Sequence, residues 1–490
     1  MASIKQPHGT AKGLSVVGRG FRTRSILDKH KHPFLPNYDS TPKARMLREI
    51  GVSSIEKLYS DIPREIRVKR PLKIEGLPSE QEVHSHITNI LAKNQSSNDQ
   101  AIFLGAGQYN HYIPAAVKAI VGRAEFQTSY TPYQAEVSQG LLQALFEFQS
   151  IVADLTEMDV VNSSLYDGAT ALGEAARMAA RTNGRRKILI PQNLHPDKLA
   201  VLRNYTEPAG IRLETFDYDR ETGGISADDV KSKLDTETSA VYAETPSFFG
   251  VLDPWVTDLP DACHEKQALA IIGFDPIALG GIKPPGEYGA DIVVGEGQSI
   301  STEMNFGGPS LGIIGCRGDP LVRQMPGRLI GLTSTIETQD RAFSMVLQTR
   351  EQHIRREKAT SNICTNEALL AVGAASYLAL LGPAGLNQLF QTILTKTQYA
   401  IKRLSENSKL TVPRFAYPSY QEFVMTFKGK RGSATEIQRK LLARGVQPGK
   451  NLSKDFFELG ESILTCVTEL HSTDDIDSLA SNILELKWSE

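Results

Sequence analysis

Short apolar runs alternate with helical patterns through the middle of the chain. Runs of this length and composition are typical of strands buried on both faces of a sheet. The predicted strands are residues 101–104, 160–161, 188–190, 211–216, 240–242, 268–274, 292–294 and 311–315. Helical patterns lie between most of them, for example at residues 170–180 and 226–234. The alternation predicts an α/β domain with a mostly parallel sheet, whose ligands lie at the carboxyl ends of the strands.

Helical patterns also precede this domain. A short helix is predicted between Thr41, which can cap it, and Gly51. Ser79 and Glu82 then form a capping box before apolar positions at helical spacing over residues 83–91. These patterns predict an N-terminal helical segment over residues 33–95, and the α/β domain over residues 96–345.

A long apolar helix is predicted over residues 366–381, and Gly382 with Pro383 ends it. The remaining pattern is strand, helix, strand and helix at residues 423–427, 433–445, 463–468 and 473–486. This order predicts that residues 346–490 comprise a linking helix and a smaller C-terminal α+β domain.

Composition narrows the classes of function. The chain has 490 residues, and its net charge of −2 provides no field for capturing nucleic acid or an anionic membrane. No continuous apolar stretch reaches the roughly 20 residues that span a bilayer. The four cysteines are scattered without a Cys-x-x-Cys pair, and no metal-ligand spacing is present, so neither a metal site nor a disulfide framework is expected. We expect a cytoplasmic protein without nucleic-acid or membrane partners.

The first 32 residues differ from the rest. They contain seven Lys or Arg but a single acid, Asp28, which is a balance found in transit peptides. Glycines at positions 9, 13, 18 and 20 interrupt any amphipathic helix there. We therefore predict a disordered extension over residues 1–32 rather than an import signal.

Several motifs carry a family resemblance. They are residues 105–114 (GAGQYNHYIP), 126–140 (FQTSYTPYQAEVSQG), 248–250 (FFG), 297–299 (GQS), 306–309 (FGGP), 325–328 (MPGR) and 350–365. In sequence and in order they resemble signatures of the glycine decarboxylase P-protein, the pyridoxal-phosphate component of the glycine cleavage system. The resemblance extends from about Pro33 onward. It implies an aminotransferase-like large domain, which is the fold of the pyridoxal-phosphate-dependent transferases of fold type I.

In this family, one long chain of two homologous halves occurs in some organisms and two separate subunits in others. The Schiff-base lysine belongs to the second half. This chain resembles subunit 1, or α, in which Gln298 occupies the matching position. Because no lysine occurs between Lys283 and Lys358, no shift of the alignment supplies one. The resemblance thus implies no catalytic residue in this chain alone, and a lysine on a partner.

The resemblance also implies the activity. Together with a lysine-bearing subunit 2 that holds pyridoxal 5'-phosphate, the chain would form an α2β2 heterotetramer that decarboxylates glycine. The aminomethyl group would pass to the lipoyl arm of the H-protein, whose disulfide is reduced, which makes the enzyme formally an oxidoreductase. Subunit 1 would exclude water and complete the partner's pocket.

The candidate cofactor-binding residues of this chain are relics or face the partner. They are Asp275, Gly168, Thr170, Gln298 and Ser299. Asp275 would either hold a pyridine nitrogen or, as we favour in the absence of a lysine, be a relic acid at a strand end that caps a helix. Gly168 and Thr170 would bind a phosphate with amides and a hydroxyl, or Thr170 caps the helix; we favour the cap.

A second set of candidates would border substrate or a subunit interface. These are His111, Tyr130, Thr131, Tyr133 and Arg328. Tyrosines at this density also occur in ordinary interfaces, and Arg328 would either form a local ion pair or clamp a carboxylate. His195, which precedes Pro196, is expected to start a helix rather than act as a base.

Two rival classes of function stay open. A self-sufficient pyridoxal-phosphate lyase would need Lys283 or another lysine of this chain, although Lys283 lies in a loop before the predicted strand at residues 292–294 and not after it. A pure interaction protein would use neither cofactor nor partner productively.

Overall fold

The structure is a computed structural model that describes residues 40–68, 70, 73, 76, 79–97, 99–429 and 432–486. The predicted extension over residues 1–32 lies outside the described residues. Contacts divide the chain into two compact units, Met1–Lys93 and Asn94–Glu490.

Among its described residues, the first unit contains two α-helices. Helix α1 spans Ser40–Ile50 and α2 spans Glu80–Leu91, with a short 3-10 helix at Ile55–Tyr59 between them. The Ser79 hydroxyl accepts the amide of Glu82 at 3.2 Å, which confirms the predicted cap of α2. Helix α1 begins one residue before the predicted cap Thr41. No side chain of α1 or α2 is buried.

The second unit contains the remaining elements. Its helices are α3 Ala115–Val121, α4 Ala124–Gln127, α5 Gln139–Thr156, α6 Gly168–Asn183, α7 Pro196–Thr206, α8 Ala227–Lys233, α9 Leu259–His264, α10 Asp319–Val322, α11 Gln352–Arg355, α12 Ala368–Ser405, α13 Ser433–Leu442 and α14 Thr473–Glu485. Its strands are β1 Ala101–Ile102, β2 Val160–Val161, β3 Lys187–Pro191, β4 Arg212–Phe216, β5 Thr238–Thr245, β6 Leu269–Phe274, β7 Ile292–Glu296, β8 Gly312–Cys316, β9 Leu329–Ser334, β10 Arg341–Val346, β11 Leu410–Thr411, β12 Glu422–Phe427, β13 Val446–Gln447, β14 Lys450–Asn451 and β15 Ser462–Cys466.

A seven-stranded sheet forms the centre of this unit, in the order β2-β8-β7-β6-β5-β3-β4. The pairs from β7 through β6, β5 and β3 to β4 are parallel. Strand β8 runs antiparallel to both β7 and β2. The predicted α/β architecture with a mostly parallel sheet is therefore confirmed.

Alternate residues of the central strands enter two separate cores. Ala243 and Ile272 pack with residues of α5 and α12 on one face of the sheet. Tyr242 and Ile271 pack with residues of α6 on the other face. Because each strand is covered on both faces, its apolar residues run continuously rather than alternating with polar ones.

Two parts of this sheet region differ from the prediction. The strand predicted at residues 101–104 is β1, which pairs with β13 outside the large sheet. Strands β9 and β10 form an antiparallel pair that the pattern did not predict. Burial alternates along β10 and is confined to the first residues of β9, so neither strand has the continuous apolar run that marks the central strands.

The C-terminal part contains a four-stranded antiparallel sheet in the order β11-β12-β15-β14. Its core joins the strands to α13 and α14, through Phe423 and Ile463 on the strands and Ile437 and Leu479 on the helices. The predicted strand, helix, strand and helix are present within a few residues of their expected bounds. The boundary proposed between residues 345 and 346 stays a prediction.

Helix α12 is longer than predicted. It runs over 38 residues and is interrupted by a non-helical Gly382 (φ 60°, ψ −177°) before Pro383, so the predicted end is a kink. By length and composition this helix could cross a membrane, but half of its most apolar window is buried within the chain, as in a core helix.

Gly250 brings the two sheets of the second unit together. Its φ is +76°, and a Cβ at this position would lie 1.9 Å from the backbone oxygen of Glu422 on β12. Only glycine allows both this conformation and this approach. The contact places the buried Glu422 side chain beside the carboxyl edge of the large sheet.

Candidate functional site

The carboxyl ends of β5, β6 and β7 border a small cavity of about 70 Å³. We refer to it as the strand-end pocket. It is lined by Gly107, Tyr109, Gly168, His195, Lys198, Tyr242, Glu244, Pro246, Ser247, Phe248, Phe274, Asp275, Val294, Gly295, Glu296, Gln298 and Ser299. Pockets that bind organic ligands usually measure about 300–1,000 Å³, so this cavity is small for a cofactor.

Asp275 follows β6 and lies in the wall of the strand-end pocket. Its Oδ1 accepts the amides of Ile277 and Ala278, each at 2.8 Å. Burial raises the pKa of this carboxyl above its ordinary value, while the Ala278 amide and the neighbouring His111 oppose the rise. The favoured interpretation, a strand-end acid that caps the following turn, agrees with this geometry.

Gln298 and Ser299 occupy the turn after β7. The Gln298 side chain is 4% exposed, and its amide nitrogen donates to the Thr302 carbonyl at 2.6 Å. The buried Ser299 hydroxyl has no hydrogen-bond partner among the described residues. An amide and a hydroxyl thus stand in the pocket where a Schiff base would require an amine.

The start of α6 differs from both predicted alternatives. Asp167, not Thr170, is the N-cap, and its carboxylate accepts the Thr170 amide at 2.7 Å. The Thr170 hydroxyl donates to the same carboxylate at 3.0 Å. The predicted Thr170 cap is wrong because the preceding aspartate takes the capping bond, and a carboxylate is a stronger acceptor than a hydroxyl.

Glu296 at the end of β7 is one of the residues that sequence reasoning missed. Its carboxylate accepts three amides at 2.9 Å, those of Gly168, Gln298 and Leu311. Burial, assisted by the negative Asp167, raises its pKa to about 7 against the effect of these amides. The Gly168 amide, which under the less favoured alternative would face a phosphate, is therefore bound to a side chain of the same protein.

Lys198 and Glu244 form an ion pair in the pocket wall. The Lys198 Nζ lies 2.7 Å from Glu244 Oε2, which also accepts the hydroxyl of Tyr242 at 2.8 Å. Glu244 lies near the end of β5 and Lys198 in the first turn of α7. Both positions lie at the carboxyl ends of parallel strands, and that rule was the signal that could have found them.

His195 starts α7, as predicted. Its Nδ1 accepts the amide of Asp197 at 2.9 Å, and its Nε2 is 2.8 Å from the Ala106 carbonyl. Burial is the main cause that lowers the pKa of the His195 ring, and the positive charge of Lys198 lowers it further. Both ring nitrogens are therefore engaged by backbone groups in the neutral ring.

Glu422 is a second buried carboxyl beside the pocket. It accepts the amide of Ala106 at 2.6 Å and the hydroxyl of Tyr109 at 2.8 Å. Burial raises its pKa to about 7, despite these two bonds and with the negative Asp275 and Glu244 nearby. The carboxyl groups of Glu244, Asp275, Glu296 and Glu422 therefore lie in or beside the pocket.

The candidate aromatic residues do not share one cluster of contacts. His111 is 3% exposed and pairs through Nδ1 with Glu469 at 2.7 Å. Tyr130 instead bonds Thr365 at 2.9 Å. Within this chain, residues of the C-terminal part engage His111 and Tyr109, whereas Tyr130 bonds a different segment. That these residues border substrate or a subunit interface stays a prediction.

Arg328 and Tyr133 form a separate cluster with Glu351. Arg328 is 5% exposed, its Nη2 lies 3.4 Å from the Tyr133 hydroxyl, and its Nε lies 4.0 Å from Glu351 Oε2. The Nε has no hydrogen-bond partner among the described residues, and neither has the buried Thr131 hydroxyl. Tyr133 and Tyr130 are exposed. The cluster thus holds a buried guanidinium with an unused donor beside the exposed Tyr133.

Lys283 lies apart from the strand-end pocket. Its side chain is 48% exposed and pairs with Glu287 at 3.4 Å in the loop before β7. This is the solvated loop lysine that the sequence predicted.

Comparison with known proteins agrees with this architecture. The sequence pattern of the family described as glycine cleavage system P-protein matches residues 33–483. The probable glycine dehydrogenase (decarboxylating) subunit 1 of Staphylothermus marinus is 46% identical, covering 93% of this chain and 98% of the relative. The chain belongs to the P-protein family of the glycine cleavage system. The predicted family resemblance is therefore confirmed.

Other P-protein relatives and solved structures extend the comparison. The protein of the same description from Saccharolobus solfataricus is also 46% identical, with 93% of this chain and 98% of the relative covered. A crystal structure of glycine decarboxylase (P-protein) in inhibitor-bound form matches with a TM-score of 0.82 and 36% identity, covering 93% of this chain and 99% of that one. The C-DES protein with glycine linked to its pyridoxal-phosphate cofactor matches at 13% identity and a TM-score of 0.57, covering 80% of this chain and all of the other, which shows the fold alone. The predicted fold type I architecture is confirmed.

The strand-end pocket of this P-protein chain does not fit pyridoxal phosphate. The Gly168 amide is bound to Glu296, the Thr170 amide to Asp167, and the pocket's lysine to Glu244. An anionic phosphate would meet the carboxyl groups of Glu244, Asp275 and Glu296, which line the cavity, and the groups that could bind it are already engaged.

Proposed function

We propose that this chain is subunit 1 of a two-subunit glycine decarboxylase, active only with a lysine-bearing subunit 2. The observation that carries the proposal is the strand-end pocket, where Gln298 stands at the end of β7 and Glu296 binds the start of α6. The pairing of a P-protein fold with a pocket that cannot hold the cofactor is best explained by a cofactor on the partner. Relatives that are named subunit 1 support the same division.

The proposed reaction decarboxylates glycine and passes the remaining aminomethyl group to the lipoyl arm of the H-protein, with reduction of its disulfide. On the partner, pyridoxal phosphate would supply the electron sink for the electron pair that stays on the glycine carbon when carbon dioxide leaves. In this chain, the surface around Tyr130 and Tyr133 would close the partner's pocket and exclude water from it. An α2β2 assembly and a cytoplasmic location are parts of the same proposal.

Arg328 is the residue we assign to a carboxylate at that surface. Its guanidinium is buried, and its bonds to Tyr133 and Glu351 are long, so it retains donors for an incoming carboxylate. Glycine brings such a group. The arrangement favours the clamp over the purely local ion pair.

The experiment that tests the proposal is borohydride trapping followed by peptide mass spectrometry. The chain is treated with pyridoxal phosphate alone, and again after co-expression with its lysine-bearing homologue. We expect label on the homologue only, and carbon dioxide release from glycine in the mixture only. Stoichiometric label on Lys283 or Lys198 of this chain would make it a self-sufficient lyase and overturn the proposal. A mixture without decarboxylation would favour the pure interaction protein.

A further inference from the structure

At the N-terminus of α6, the first amide donates to a side chain of the same protein. Amides at helix starts form anion sites because several unpaired N–H groups and the helix dipole act together. Here the Gly168 amide donates to Glu296 Oε2 at 2.9 Å. Glu296 Oε1 accepts two further amides, those of Gln298 and Leu311, also at 2.9 Å. One carboxylate thus joins three backbone segments, as a bound oxyanion would.

The space at this helix start is filled as well. A Cβ added to Gly168 would lie 3.2 Å from Glu296 Cβ and 3.3 Å from the Gly295 carbonyl oxygen. The helix start and the end of β7 are therefore in van der Waals contact. A phosphate group would need the volume that the Glu296 side chain occupies.

A second feature of the pocket is a donor without an acceptor. The Ser299 side chain is 3% exposed, lines the strand-end pocket, and has no hydrogen-bond partner among the described residues. A buried hydroxyl of this kind costs free energy unless an acceptor is present. Ser299 lies one residue after Gln298, so this unpartnered hydroxyl stands in the same turn as the Glu296 carboxylate and offers a donor to a polar ligand.

We infer that the strand-end pocket is a phosphate-ester site closed from within, in which the Glu296 carboxylate replaces the phosphate. The inference goes beyond the proposed function, because it concerns what this chain excludes from its own pocket, with or without a partner. Removal of the Glu296 side chain would free the Gly168, Gln298 and Leu311 amides for a phosphate.

The first test measures binding of inorganic phosphate to the purified chain by calorimetry at pH 8, where Glu296 is ionised. Glu296→Ala is expected to bind phosphate at least about tenfold more tightly than the wild type, since the freed amides gain a charge-assisted acceptor. Glu296→Gln keeps the space filled and should not gain binding. Glu422→Ala is the matched control, because it removes another buried carboxyl that binds no α6 amide.

Hydrogen exchange locates the bound phosphate. In Glu296→Ala, phosphate should slow exchange of the amides at residues 168 and 298, whereas equal ionic strength of chloride should not. Equal phosphate affinity in wild type and Glu296→Ala, or no binding to a folded Glu296→Ala, would refute the inference. If that variant does not fold, phosphate should raise its refolded yield, and an equal yield in chloride counts against the inference.

The second test uses pyridoxal phosphate and restores the amine as well. Gln298→Lys alone supplies a lysine at the end of β7 but leaves Glu296 in place, so little borohydride-reducible label is expected at position 298. The double variant Glu296→Ala with Gln298→Lys should increase that label at least about tenfold, as an open phosphate site raises the local concentration of the aldehyde. Equal labelling of the single and double variants would show that Glu296 does not close the pocket. Because no partner is present, this outcome is independent of the proposed function.

Discussion

At the residue scale, three positions at the end of β7 decide what the strand-end pocket holds. Glu296 takes the helix amides, Gln298 stands in place of an amine, and Ser299 keeps an unused hydroxyl. Each is a common residue in an ordinary turn pattern. They affect the pocket because the parallel sheet places this turn against the start of α6.

Glu296 should make stability depend on pH. Its pKa is raised from 4.5 to about 7 by burial, so between these pH values the folded state holds a proton that the unfolded state has lost. Stability therefore falls as pH rises through this window, by roughly 3 kcal/mol for one such group, and levels off above it. Glu296→Gln should remove this share of the slope in denaturant unfolding measured from pH 5 to 8. An unchanged slope would contradict the prediction, and Glu422 is expected to contribute a similar slope of its own.

Arg328→Lys should raise the KM for glycine in the complex with subunit 2 about tenfold, because an ammonium cannot reproduce the guanidinium fork. The measurement is decarboxylation kinetics at varied glycine. Arg323→Lys is the matched control, since Arg323 is exposed on the same segment. An equal effect of both variants would argue against a carboxylate clamp.

Tyr133→Phe should lower glycine–bicarbonate exchange in the reconstituted complex about three- to tenfold, through loss of one hydroxyl hydrogen bond. Tyr133 is 56% exposed beside Arg328. Tyr112→Phe is the control, since Tyr112 lies elsewhere on the surface and is similarly exposed, at 61%. Unchanged exchange in Tyr133→Phe would place this side chain outside the partner's pocket.

At the scale of elements, predictions succeeded where the pattern within one element is enough to identify it. The strands β5, β6 and β7 were found because burial on both faces leaves a continuous apolar run. The pair β9 and β10 was missed because neither strand is continuously buried, and because the packing of both strands on α5 is not visible in the local pattern. The end of α12 was also mispredicted for a tertiary reason. Residues on both sides of Gly382 are buried, so the helix continues beyond the Gly-Pro pair that was expected to end it.

Gly250→Ala tests the contact between the two sheets. The added Cβ would lie 1.9 Å from the Glu422 oxygen, at a φ of +76°. We expect a loss of about 3 kcal/mol or more in the free energy of unfolding, from the clash and the strained backbone together. Gly445→Ala is the control, with φ +77° and nothing within 4 Å, and should cost about 1 kcal/mol. Equal losses, measured by chemical denaturation, would show that the contact yields easily.

At the scale of the whole molecule, the fold of a cofactor enzyme encloses a pocket that cannot take the cofactor. Under the proposed function, such a chain acts only together with a lysine-bearing subunit 2. We expect native mass spectrometry of the co-expressed proteins to show two copies of each chain, and decarboxylation only in that species. Activity of this chain without the partner would contradict the prediction.

The sequence by itself determined the α/β fold, the family and the lack of a lysine between positions 283 and 358. These follow from local patterns, motif order and residue identity, which do not depend on distant contacts. It also indicated the caps at Ser79 and His195, where the partner atoms lie two or three residues away. Only the tertiary structure decided that Glu296 fills the start of α6 and that His111 and Tyr133 belong to separate clusters. Those facts depend on side chains from segments more than a hundred residues apart, which meet only after the sheet and its two cores have assembled.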